Sequence, residues 1–159
     1  FGITTCSGCV ARHSGVCDMP ASVNRLESGH PSEPNDCAIT SLANYLGIDY
    51  TDVIRVASRV TPDGGKTGLT VRAIRRIAAL CGQPLTIRRT FDPDESYGIV
   101  VVQWRGHNEA HAAVLREGWV QDRNLVYTWH DWTATMRQMV KTAKGQPRAM
   151  GGLLLVVKE

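Results

Sequence analysis

Long hydrophobic runs are missing from this 159-residue chain. The longest, Gly151 to Val157, falls far short of the roughly 20 apolar residues a helix needs to cross a bilayer, so it reads as one buried strand and no membrane partner is expected. Aromatic residues are few, 6% of the chain, and none is interleaved with the basic stretches Arg72 to Arg76 or Arg88 and Arg89. Base stacking has no platform there, and a net charge of +3 is too mild to attract a polyanion by itself, so no nucleic acid is expected. A signal-peptide pattern is absent, and the chain opens at Phe1 rather than Met, which fits a fragment or a processed product. Five cysteines, an odd number, do not read as a fully paired disulfide framework and favour a reducing compartment or a metal site. The expected location is cytoplasmic, with a virion-associated product as the variant; oligomeric state is left open.

What is present fits one globular domain with an appendage. Apolar residues make up 43% and charged ones 21%, ordinary for a chain that buries a core and too apolar for disorder. Residues 1–34 lack helical or strand periodicity and are rich in Gly, Ser, Pro and Cys, so they form an N-terminal extension held by something other than a core. Cys6, Cys9, His13 and Cys17 follow Cys-x2-Cys-x3-His-x3-Cys spacing. Three thiolates and an imidazole satisfy tetrahedral Zn²⁺, and a coreless segment gains its order from the metal. Asp18 or His30 could replace one ligand; free or disulfide-linked cysteines, or an iron-sulfur or redox role, are the alternatives.

Periodicity begins with residues 35–159. A helix is expected from Cys37 to Leu46, with Ile39, Leu42, Ala43 and Leu46 on one face, Asn35 or Asp36 as its cap and Gly47 as its stop. Thr51 caps a second helix with Val53, Ile54, Ala57 and Val60 inward, and Thr70 caps a third that Gly82 closes. The period then changes. Leu85 to Arg89, Gly98 to Trp104, Ala110 to Arg116, Trp119 to Asp122 and Leu153 to Val157 are short and β-rich, with Glu117 and Gly118 as a tight turn. A segment from Trp132 to Thr142 interrupts them with Met136, Met139 and Val140 as its buried side. Helices first and a mostly antiparallel sheet afterwards make an α+β fold.

Chemistry concentrates at Cys37. A thiol at a helix N-terminus feels the partial positive charge of unpaired amides, which favours the thiolate, and a nearby imidazole favours it further. His111, opening a strand-like run, can supply that ring. The run Asp36 to Tyr50 with Val53, the turn Gly68-Leu69-Thr70 and the block His111 to Asp122 resemble, in order and spacing, the motifs of papain-like cysteine peptidases of the C39-like type. The similarity spans residues 35–157. It implies a papain-like fold and a peptidase, amidase or acyl transferase working through a thioester. It also implies that Cys37 is the nucleophile, His111 the base that later protonates the leaving group, and Asp122 the group that orients the ring. Asn124 and Asp131 lie close enough in sequence to replace Asp122. Where such enzymes carry an oxyanion-donating glutamine about six residues before the nucleophile, this chain has Pro31. The Cys37 amide with Asn35 is the replacement candidate, and Gln103 the second.

Other chemistries fail on spacing. His107 and His111 are four apart, but a metalloprotease helix needs the glutamate directly after the first histidine, and here Asn108 follows Gly106 and His107. A zinc deaminase needs its Cys-x-x-Cys after, not before, the His-x-Glu of His107 and Glu109. Those two side chains are expected at the entrance beside His111. The expected function is a thiol hydrolase acting on a protein or peptide substrate, with no catalytic cofactor. A phage or viral processing protease is one form of it, since Gly151-Gly152 resembles the small-residue pairs such enzymes cleave. The rivals are an inactive papain-like binding module, using Trp104 and Trp119 beside the cleft, and an acyl transferase with the same triad.

Overall fold

The computed structural model describes residues 36–65 and 68–158; the cysteine-rich segment with Cys6, Cys9, His13 and Cys17, together with Pro31 and Asn35, lies outside the described residues. Helices α1 (Cys37–Leu46), α2 (Tyr50–Val60) and α3 (Val71–Leu80) come first. They are followed by β1 (Leu85–Arg88), β2 (Tyr97–Trp104), β3 (Ala110–Arg116), β4 (Trp119–Asp122), β5 (Leu125–Thr128), α4 (Trp129–Met139) and β6 (Met150–Val157). The six strands form one sheet in the order β1-β6-β2-β3-β4-β5, and every neighbouring pair is antiparallel. The chain is α+β, as its helix-then-strand order implies.

Strand alternation divides the core between the two faces of the sheet. Ile99, Val101, Ala112, Val114 and Leu155 pack with Leu42, Val53, Ile74 and Ile77 of α1 to α3. Val100, Val102, Ala113, Leu115 and Leu154 pack instead with Trp132 and Met136 of α4. Because β2 is covered on both faces, it reads as a nearly continuous apolar run, which is what its sequence shows. All ten residues of α1 are buried, Thr40, Ser41 and Asn44 included. A helix enclosed on every side is held rigidly, and its first residue is Cys37.

Local signals account for most boundaries. Gly47 takes a left-handed φ of 72° and ends α1. The Thr70 hydroxyl accepts from the Ala73 amide at 3.1 Å and starts α3. Glu117 (φ 46°) and Gly118 (φ 86°) both adopt positive φ, the two-residue geometry that matches strand twist and brings β4 back along β3. Three differences from the sequence reading have physical reasons. Helix α2 starts at Tyr50 rather than after Thr51, because the Asp49 carbonyl already accepts from the Val53 amide at 3.1 Å. Helix α4 starts at Trp129, where the Thr128 hydroxyl accepts from the Asp131 amide, and it exposes Met139. The segment Leu125–Thr128, not expected as a strand, pairs with β4 at the sheet edge. Among the described residues no helix is long and apolar enough to cross a membrane.

Candidate active site

Cys37 and His111 meet because a helix start and a strand start converge. Residue Cys37 is the first of α1, and α1 packs over β3. His111 is the second residue of β3. The strand β4 pairs with β3 from Trp119 opposite Arg116 and ends at Asp122. Continuing that register puts Asp122 across from Ala113, two residues from His111, so the carboxylate reaches a ring that β4 does not cover. The result is a chain of contacts. His111 Nε2 donates to Asp122 Oδ2 at 2.6 Å, and the Cys37 sulfur is near enough to the same ring to raise its proton affinity. With Nε2 given to the carboxylate, Nδ1 is the nitrogen left for sulfur.

The imidazole is strongly basic in this setting. Burial by itself would lower its pKa, but the hydrogen bonds to Asp122 and Cys37 and the charges on both partners outweigh it and push it up to about 10. A ring held this high is an imidazolium at neutral pH. Its side chain is 18% exposed and that of Asp122 12%, while Cys37 is 9% exposed. All three open onto one cleft of about 1090 Å³.

Two groups complete the arrangement in roles the sequence did not indicate. Trp132, fully buried on α4, donates its Nε1–H to the same Asp122 oxygen at 2.8 Å, and its ring lies 6.4 Å from that of His111. A buried tryptophan must find an acceptor for its indole N–H, which is the signal that could have linked it to a nearby carboxylate. Asp36 is the second. It stands at the N-cap position of α1, yet its side chain makes no cap hydrogen bond. It accepts instead from the Tyr50 hydroxyl at 2.8 Å and pairs with Arg123 at 3.3 Å. Since Asp36 precedes Cys37 and Arg123 follows Asp122, this ion pair ties the start of α1 to the turn after Asp122. Arg123 holds a left-handed φ of 59° in the two-residue turn between β4 and β5, a conformation that costs a non-glycine residue on the order of 1 kcal/mol.

Asn124 lines the cleft, but the partner of His111 is Asp122. Asp131 is exposed, in the first turn of α4. Gln103, exposed at the end of β2, lines the cleft together with His107 and Glu109, whose side chains stand 3.9 Å apart. Of the two tryptophans expected beside the cleft, Trp104 lines it and is fixed by donation to the Met136 carbonyl at 2.9 Å. Gly151 and Gly152 sit inside β6, registered against Gln103 and Val102. Among the described residues no group of three or more side chains is arranged to hold a metal ion.

Removing the indole donor tests the support of Asp122. Trp132→Phe should lower stability by about 2–3 kcal/mol, from a lost hydrogen bond to a charged group and lost buried volume. Urea unfolding of the two proteins measures it; an unchanged midpoint would mean that Trp132 holds nothing in place.

A scan against protein-family models and a search of curated proteins return no match to this chain.

Proposed function

We propose that this chain is a thiol-dependent hydrolase, a cysteine peptidase of the papain-like type, that cleaves a peptide or isopeptide bond with Cys37, His111 and Asp122. One observation carries the reading: a single imidazole is bonded to a carboxylate at 2.6 Å with a cysteine sulfur near enough to raise its pKa, and all three line a cleft large enough for several residues of peptide. The order of the sequence motifs supports it independently.

The chemistry follows from the contacts. In the working state the proton shared by sulfur and ring resides on His111, leaving a thiolate. The thiolate adds to the substrate carbonyl carbon, and the C=O electron pair moves onto oxygen. Amides at the start of α1, which the Asp36 side chain does not cap, face the resulting oxyanion, with Gln103 across the cleft as a further donor. Collapse of the adduct expels the amine, which takes the proton from His111, and leaves a thioester on Cys37. His111, now neutral, removes a proton from water; the hydroxide adds to the thioester, the acid departs, and the proton returns to the sulfur–ring pair. Asp122 keeps the ring oriented throughout. A binding module without turnover has no use for a histidine oriented by a carboxylate that an indole in turn holds, which favours the enzymatic reading. An acyl transferase would share every step up to the thioester.

Mass spectrometry of the protein treated with a thiol-directed acylating probe tests this. Labelling at Cys37 is expected in the wild type, none in Cys37→Ala, and at least 100-fold slower labelling in His111→Ala. Equal labelling of His111→Ala and wild type would remove the base assignment. Elemental analysis of the same samples tests the proposed structural zinc: one equivalent per chain is expected, with loss in Cys9→Ser and not in Cys37→Ala.

A further inference from the structure

The cleft does more than expose the reacting groups. Its floor runs across the strands, away from the catalytic pair. Ala112 of β3 is registered with Val101 of β2, Val101 with Leu153 of β6, and Arg89 directly follows Arg88, the last residue of β1, which pairs with Leu154. Cross-strand neighbours point to one face, and that face carries α1 and α3. All four residues line the cleft. The far end of this apolar floor is therefore a guanidinium. Arg72, in the first turn of α3, lines the same cleft from the helix side.

The two arginines differ from the third arginine of the cleft. Arg123 is tied to Asp36. Arg72 and Arg89 are exposed, and neither guanidinium has an ion pair or hydrogen bond among the described residues. The acids that line the cleft are placed elsewhere: Asp122 under His111 and Glu109 beside His107. An unbalanced positive end on a substrate cleft favours a carboxylate in whatever lies there. Strands are spaced about 4.8 Å, so Arg89 is about 14 Å from the β3 row beside His111, and an extended peptide rising about 3.4 Å per residue covers that span in about four residues.

Resting on the peptidase reading, we infer that the substrate carries an Asp or Glu side chain about four residues from the scissile bond, bound by Arg72 and Arg89, with apolar or small residues over Val101 and Leu153 between.

Cleavage of a diverse synthetic peptide library, with products sequenced by mass spectrometry, tests this and requires no natural substrate. Peptides cut by the wild type should be enriched in Asp or Glu three to five residues from the cut, on one side only. For the best peptide, changing that Glu to Gln should lower kcat/KM roughly 10-fold at low salt, since two partly solvated charge pairs are lost, and the difference should shrink as salt rises. Arg72→Glu with Arg89→Glu, checked for folding by thermal melting, should reverse the preference toward Lys or Arg. Cleavage without acidic enrichment, or enrichment unchanged in the double variant, overturns the specificity while leaving the peptidase intact. Absence of any Cys37-dependent cleavage overturns the peptidase reading and this inference with it.

Discussion

Replacement of Asp122 by Ala is expected to lower kcat/KM by about two to four orders of magnitude in a protein that still folds. Two donors lose their acceptor at once, His111 Nε2 and Trp132 Nε1. The ring loses both its orientation and the hydrogen bond and charge that raise its pKa, while burial continues to lower it. A neutral, misoriented imidazole can neither hold the thiolate nor protonate the leaving amine. Asp122→Asn keeps an acceptor oxygen without the charge, so its loss should fall between the wild type and Ala. Steady-state kinetics on the best library peptide, or the rate of probe labelling at Cys37, reports the series. A rate for Asp122→Ala within twofold of wild type would remove Asp122 from the mechanism.

Asp36→Ala should be costly in a different way. Asp36 is 5% exposed, and its removal strands a Tyr50 hydroxyl that is itself buried and the guanidinium of Arg123. Because a third of the Arg123 side chain is exposed, water recovers part of that loss. The expected destabilisation is about 2–3 kcal/mol, mostly from the hydroxyl and the lost packing. Activity should fall by a further factor, because the tie between the start of α1 and the turn after Asp122 is gone. Asp36→Asn restores an acceptor for Tyr50 and should recover about half of the stability but little of the geometry set by Arg123. Denaturant unfolding and kcat/KM on the three proteins separate the two effects; equal stability of Asp36→Ala and wild type would show that the pair is ornamental.

The parts of this fold written in local pattern were legible from sequence. Helix α1 and strands β3 and β4 have the bounds their periodicity implies, because Gly47 and the Glu117-Gly118 turn are strong punctuation. The pairing of His111 with Asp122 was legible for the same reason, since a two-residue turn fixes register. Leu125–Thr128 was not: four residues with an exposed Leu125 between a turn and a helix carry too little alternation to count as a strand. Met139 sits at a helical spacing that suits burial, yet α4 ends there and the cleft opens beside it. The ties from Trp132 to Asp122 and from Arg123 to Asp36 join residues 10 and 87 positions apart, and no local preference encodes such meetings. They depend on α4 and the β4–β5 turn being placed by the core.

The meeting of Cys37 and His111 is best measured by NMR titration of the His111 ring in the wild type and in Cys37→Ala. A folded-state pKa raised from 6.5 to about 10 means that the ring's contribution to stability is fully present below about pH 6.5 and is lost as pH rises through 10. The ring should stay charged well past neutrality in the wild type and titrate toward pH 10, and removal of the sulfur should move that midpoint down, since Cys37 raises it by hydrogen bond and charge. A midpoint near 6.5 that is the same in both proteins would contradict the contact between sulfur and imidazole on which the catalytic assignment rests.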